Sequence, residues 1–171
     1  MYLPKTSVII PVYNAEKYLH KCLTSAVSQT LRDIEIIVVN DASIDGSLEI
    51  IQKFQKKDQR IQLINFTKNK GNGIGRNTAL KKAKGKYVLF LDADDWLANK
   101  AAEMLYEKAE SNDYDVVLIG YVQHFQRSQK AQFMHVTYKE QDAKFHNYFL
   151  LHTKGFGSMP WVYFYNRKLL I

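Results

Sequence analysis

Three carboxylates, Asp92, Asp94 and Asp95, fall directly after the apolar run Tyr87-Val88-Leu89-Phe90-Leu91. A short continuous apolar run bounded by polar residues reads as a strand covered on both faces, as in a parallel sheet. The acids then stand where that strand leaves the sheet, and in open α/β sheets ligands bind outside the carboxyl ends of strands. Like charges so close together repel, which calls for a neutralising partner. A divalent metal takes hard oxygen ligands, and phosphate oxygens of a substrate commonly complete its shell. The competing reading is that Asp94 or Asp95 caps the next helix. A cap uses one acid and leaves the others unexplained.

Other polar clusters have the right chemistry to join this one. Tyr13-Asn14 follows the apolar run Ser7-Val8-Ile9-Ile10-Pro11-Val12, and Asp41 follows Ile34-Glu35-Ile36-Ile37-Val38-Val39. Asn69-Lys70-Gly71-Asn72-Gly73-Ile74-Gly75-Arg76-Asn77 is a glycine-rich loop whose backbone can approach a ligand closely. Its spacing matches neither a dinucleotide-binding fingerprint nor a Walker loop. Together the clusters suit a nucleoside diphosphate. Tyr13 offers a flat partner for the base, or else packs on the first helix. Asp41 can accept from the imide N–H of a uracil, since an ionised carboxylate only accepts. Arg76 and a metal on Asp94 can neutralise the pyrophosphate, and Asp92 can accept from ribose hydroxyls. The alternative for Arg76 is a salt bridge to Asp41 or Asp92.

The elements that must position these groups alternate along the chain. Strands are expected at 7–12, 34–39, 61–64, 87–91 and 115–119. Between them, helices are expected from Asn14 as N-cap through Val27, from Asp45 or Ser47 to about Phe54, from about Gly73 to Lys84, and from about Lys100 to Ser111. Ala15, Tyr18, Leu19, Cys22, Leu23, Ala26 and Val27 form the inward stripe of the first helix. Ala101, Met104, Leu105 and Ala109 form that of the fourth. Pro11 must lie near the end of its strand, because it cannot donate a ladder hydrogen bond. Farther on, 121–125 and 132–138 suggest a hairpin, 139–152 a helix, 154–161 a loop and 161–165 a last short strand. The alternation implies an α/β domain: a mainly parallel Rossmann-like sheet with helices on both faces. In such a sheet all four clusters can converge on one edge.

Composition sets the outer bounds. The chain has 171 residues, 46% of them hydrophobic, enough for one domain with a sizeable core. No apolar run approaches the ~18 residues that span a bilayer. A single cysteine, Cys22, excludes an internal disulfide and fits a reducing, cytoplasmic compartment. The net charge of +7 admits nucleic acid, an anionic lipid surface or a phosphorylated substrate as partner. No nucleic-acid-binding pattern appears, so nucleic acid is not expected. Peripheral contact with the anionic inner face of a membrane, near a lipid-linked acceptor, remains an expectation.

At this point the residues carry a family resemblance. The segments 7–14, Val38-Val39-Asn40-Asp41-Ala42-Ser43-Ile44-Asp45-Gly46-Ser47, Asn69-x-Gly71 with Arg76-Asn77, and Asp92-Ala93-Asp94-Asp95 resemble the family 2 glycosyltransferases, which have the A-type glycosyltransferase fold. Pro160-Trp161 followed by Tyr165-Asn166-Arg167 is similar to a family segment near the acceptor side. The resemblance implies inverting transfer of a sugar from a nucleotide-diphosphate donor, UDP-linked by expectation, to a glycan or lipid-linked acceptor. It implies that Asp41 meets the base, and that Asp92 and Asp94 form the Asp-x-Asp pair meeting the ribose and Mn2+ or Mg2+. The expected donor-binding set is Pro11, Tyr13, Asn14, Asp41, Gly71, Arg76, Asp92 and Ala93, with Asp94 on the metal. Asn40 stands where the family usually has an acid, and Ala42 where it usually has glycine.

Inverting transfer also needs a general base for the acceptor hydroxyl, which the family supplies beyond the Pro-Trp segment. No Asp or Glu follows Trp161 here. The chain is therefore expected to be a C-terminally truncated catalytic domain, 7–120 being the donor half and 121–171 an incomplete start of the acceptor half, with the base beyond Ile171. Two rivals remain at this level. A nucleotidyltransferase would carry a glycine-rich basic loop after its first strand, where this chain has Val12-Tyr13-Asn14-Ala15. A nucleotide-binding module without transfer activity would bind UDP in a metal-dependent way and turn nothing over.

Overall fold

The computed structural model describes residues 3–119, 121–124, 131–134 and 160–171. Along the chain come β1 (Thr6–Val12), α1 (Glu16–Val27), β2 (Ile34–Asn40), α2 (Ser47–Lys57), β3 (Ile61–Asn65), α3 (Asn72–Lys82), β4 (Tyr87–Phe90), α4 (Ala101–Ser111), β5 (Val116–Leu118), β6 (Tyr121–His124), β7 (Ala131–Met134) and β8 (Tyr163–Asn166). Short 3-10 turns at Pro160–Val162 and Arg167–Leu169 flank β8. The main sheet has six strands in the order β3-β2-β1-β4-β8-β5. β1, β2, β3 and β4 run parallel, whereas β8 lies antiparallel between β4 and β5. β6 and β7 pair as a separate antiparallel hairpin. The expected helix over 139–152 and most of the loop over 154–161 lie outside the described residues.

β1 and β2 are buried along their whole length, as central strands covered on both faces must be. Their side chains alternate between two cores. Val8, Ile10, Val12, Ile36, Val38 and Leu89 join Leu19, Leu23, Ile51 and Ala102 beneath α1, α2 and α4. Ile9, Ile37, Val39, Val88 and Phe90 join Ala79 and Leu80 beneath α3. Each fully buried Leu or Ile contributes roughly 1.5–3 kcal/mol of transfer free energy, so the helices are held to the sheet chiefly by these stripes. Met104 and Tyr18, expected to face inward, are exposed. Ala102 is buried against the sheet, and the inward stripe of α4 is Ala102, Leu105, Tyr106 and Ala109.

The expected Asn14 cap is also corrected. The residue preceding α1 is Ala15, which offers no side-chain cap. Asn14 adopts φ 50°, and its Oδ1 accepts from the Ile44 N–H at 2.9 Å. The first N–H groups of α1 are satisfied instead by the neighbouring helix. Ser47 Oγ accepts from Ala15 N at 2.9 Å, and Asp45 Oδ2 accepts from Glu16 N at 3.1 Å. Glu16 returns the bond by accepting from Gly46 N at 2.9 Å. The amino ends of α1 and α2 thus cap each other across the sheet edge.

At the other edge, buried Glu35 accepts from Ser7 Oγ, Gln62 Nε2 and the Lys84 and Gly85 amides. A Cβ on Gly85 would lie 2.5 Å from the Ser7 nitrogen, so only glycine lets the chain enter β4 so close to β1.

Candidate functional site

The strand order reverses direction at β1. The chain first moves outward through β2 and β3, then crosses back through α3 to place β4 on the other side of β1. The carboxyl end of such a switch point is where open α/β sheets form a ligand crevice. The expected donor-binding residues stand at this rim or on the loops that leave it, except Arg76, which lies on α3.

Pro11 is buried near the end of β1, paired in register with Val39. Tyr13 follows it and is 48% exposed, so its ring is not absorbed into packing on α1. Asn14, as described, ties this loop to the one after β2.

Asp41 continues β2, its N–H donating to Val12 O at 2.8 Å. Its carboxylate is buried and accepts from the backbone amides of Lys70 and Gly71, at 2.7 and 2.8 Å. Gly71 takes φ 84°, the left-handed conformation that costs glycine little. Asp41 therefore fixes the loop that opens α3. One turn later Gly75 passes over the sheet end, where an added Cβ would lie 3.6 Å from Val39 and 3.9 Å from Pro11.

Arg76, next on α3, reaches across to Asp92 and donates from Nη2 to its Oδ1. The salt-bridge alternative for Arg76 is thus realised with Asp92, and it places the guanidinium beside the acidic cluster. The buried Nε of Arg76 has no hydrogen-bond partner among the described residues. A continuous bonded path therefore runs from Asp41 through Gly71 and the first turns of α3 to Arg76 and Asp92.

Beyond β4, Ala93 is buried while Asp94 is exposed. The Asp95 N–H closes a turn on Asp92 O at 3.0 Å. The Asp95 carboxyl is pushed up to about 6 by its burial and by the charges of Asp94 and Asp92. Excess negative charge is thus concentrated on this turn, in spite of Arg76. The capping alternative fails: α4 begins at Ala101, with Lys100 before it and no side-chain cap. Among the described residues no group of three or more His, Cys, Asp or Glu is arranged to hold a metal ion. Any ion here would be held by one or two carboxylates and by ligand oxygens, which is a common arrangement for Mg2+ beside phosphates.

Sequence reasoning overlooked the residues that carry this turn. Ser25, on the inward face of α1, and Gln29, two residues past its end, are buried and bond to the chain that leaves the cluster. Their signal was present as polar residues set into the apolar stripe of Leu19, Cys22, Leu23 and Ala26.

The rim can be compared with known proteins. The model of the family described as glycosyl transferase family 2 matches residues 7–171. Glycosyltransferase GlyA of Streptococcus pneumoniae is 42% identical over 132 residues, covering 77% of this chain and 19% of GlyA. EpsH of Bacillus subtilis is 33% identical over 172 residues, covering 99% of this chain and 49% of EpsH. The crystal structure of S. aureus TarS 1–349 in complex with UDP superposes with a TM-score of 0.74 at 28% identity, over 97% of this chain and 48% of TarS 1–349. A second TarS structure holds UDP-GlcNAc and superposes with the same TM-score. The chain therefore spans half or less of the length of these relatives. The six-stranded sheet with helices on both faces is the A-type glycosyltransferase fold, and the chain belongs to glycosyl transferase family 2.

Proposed function

We propose that this chain carries the donor-binding half of an inverting glycosyltransferase. Its donor is a UDP-sugar, its metal Mn2+ or Mg2+, and its acceptor a glycan or a lipid-linked sugar. The observation that carries the reading is the bonded path from Asp41 through the Gly71 loop to Arg76 and Asp92 at the switch-point rim. It sets a carboxylate acceptor, a guanidinium and a surplus of negative charge along one edge. The complexes of TarS with UDP and UDP-GlcNAc support the choice of nucleotide.

In this reading the half-exposed Tyr13 ring lies against the base. Each Asp41 oxygen accepts one loop amide, and an ionised carboxylate has about four lone-pair positions, so capacity is left for the imide N–H. Asp92 accepts from the ribose. Asp94, with Asp92 or Asp95 at its side, holds the metal, which when bound supplies charge neutralisation on the diphosphate. The unpartnered Nε of Arg76 is a further donor for a phosphate oxygen. During transfer the bond between the anomeric carbon and the diphosphate oxygen breaks, with its electrons leaving on UDP. The acceptor oxygen bonds to the opposite face of that carbon, and its proton passes to a general base. The rim residues are assigned to donor binding, and none of them to that base.

Calorimetry with UDP, GDP and dTDP, each with and without Mn2+, tests the proposal. UDP is expected to bind best, and more tightly with metal. Asp94→Ala is expected to remove the metal-dependent gain, a loss of at least about tenfold, given that a hydrogen-bonded or coordinated charge contributes ~1.5–3 kcal/mol. Equal binding of the three nucleotides, or a metal gain that survives Asp94→Ala, would overturn it.

A further inference from the structure

Residues 91–100 connect β4 to α4 without forming a helix or strand. Connections of this kind in α/β units usually run to about 2–6 residues, and a longer one carrying functional acids has to be held in place. Here α1 and the three residues that follow it hold it from end to end. The Cys22 thiol donates to Asp92 O at 3.5 Å, the same carbonyl that closes the acidic turn. One turn along α1, Ser25 Oγ accepts from Leu97 N at 3.0 Å. One turn farther, Gln29 donates from Nε2 to Ala98 O at 2.9 Å and accepts at Oε1 from Ala102 N at 2.9 Å. Thr30 N then donates to Asn99 O at 3.0 Å, and Thr30 Oγ1 to Glu103 Oε2 at 2.8 Å.

Cys22 and Ser25 are three apart on one face of α1, and Gln29 follows two residues past the end of the helix. Gln29 is completely buried, and its amide also donates to Ser25 O at 3.0 Å. A buried amide costs free energy unless its polar atoms are bonded, and here they are spent on the connection and on the first turn of α4. On the exposed side the Lys21 ammonium lies over the Trp96 ring.

We propose that Ser25 and Gln29 are positioning residues. Their role is to hold the turn 92–95 at the height where its carboxylates meet a metal-bound nucleoside diphosphate. This rests on the donor-binding function proposed above. A Leu97 N–H that loses its acceptor two residues after Asp95 frees the turn to shift, and coordination tolerates little displacement. Outer partners of metal ligands are commonly worth about 10–100-fold in metal affinity.

The test compares Ser25→Ala, Gln29→Leu and Thr30→Val with the unsubstituted chain. UDP affinity is measured with and without Mn2+, well below each variant's melting temperature. Thr30 bonds the far end of the same connection, so Thr30→Val reports a structural loss alone. The expected result is that Ser25→Ala weakens UDP binding about tenfold in Mn2+ and leaves metal-free binding unchanged. Thr30→Val is expected to lower the melting temperature and keep the metal-dependent gain. Gln29→Leu should behave as Ser25→Ala if it folds, and the Ser25 comparison decides the matter if it does not. Equal loss of the gain in Ser25→Ala and Thr30→Val, or no loss in Ser25→Ala, overturns the positioning role and leaves the donor site standing. Absence of any metal-dependent gain in the unsubstituted chain overturns the donor site itself, and the positioning role with it.

Discussion

Ala42 sits at φ 57° between Asp41 and Ser43, in the left-handed region where a Cβ crowds the following carbonyl. That crowding costs roughly 1–2 kcal/mol for a residue other than glycine. It also accounts for the family's preference for glycine at this position, since the loop after β2 must turn sharply to bring Ser43 and Ile44 onto Asn14. Asn40, the other departure from the family pattern, is explained by a neutral partner: its amide donates to Asn65 at 2.7 Å from a fully buried site. Ala42→Gly should therefore stabilise the chain. Relief of the left-handed strain is opposed by glycine's larger loss of backbone freedom, about 0.5–1 kcal/mol. The net gain should be about 0.5–1 kcal/mol, read as a higher urea midpoint with an unchanged slope. A midpoint that falls would mean that the Cβ of Ala42 contributes packing larger than the strain it carries.

At the scale of elements, the mutual capping of α1 and α2 fixes two loops that border the site. The bond from Ala15 N to Ser47 Oγ is the buried member of the set. Removing its acceptor leaves a buried donor unsatisfied, and the cost is the desolvation of that group, about 1–3 kcal/mol. Ser47→Ala should lower stability by that amount in denaturant titration. Asp45 makes the neighbouring bonds from a more exposed position, and hydrogen bonds from Ser47 and from Glu16 N hold its carboxyl below the usual range against the opposing effect of desolvation. A Ser47→Ala variant as stable as the parent would show that water reaches the Ala15 N–H and that the two helix ends are coupled only through Asp45 and Glu16.

For the molecule as a whole, the sequence reveals what depends on neighbours along the chain and conceals what depends on distant ones. Apolar runs and amphipathic stripes located β1 to β5 and α1 to α4 to within about three residues at each end, because burial on one or both faces imposes its period locally. The polar ends of β1, β2 and β4 were legible for the same reason. The place of β8 between β4 and β5 was not, since strand order is decided by partners more than forty residues away. Nor was the capture of the Asp41 carboxylate by the Gly71 loop, which needs a left-handed glycine that spacing does not specify. Asp58 belongs to this concealed class. It accepts from Arg60 N and Nε at 3.0 Å and from Arg60 Nη2 at 2.7 Å, while the same Nη2 donates to Val27 O at 2.8 Å. The pair so joins the end of α1 to the turn between α2 and β3. The hydrogen bonds from Arg60 hold the Asp58 carboxyl below its ordinary range. A carboxyl lowered in the folded state is protonated more readily in the unfolded one. Its contribution is therefore complete above the unfolded value near ~3.9 and is lost as pH falls through the folded value. Asp58→Asn should be less stable than the parent by about 1.5–3 kcal/mol at neutral pH, the range for a hydrogen bond to a charged group. The gap should close as unfolding is followed from neutral pH down through pH 4. A gap that stays constant into strong acid would mean that the amide loses packing and not charge, and that Arg60 holds α1 without help from the carboxylate.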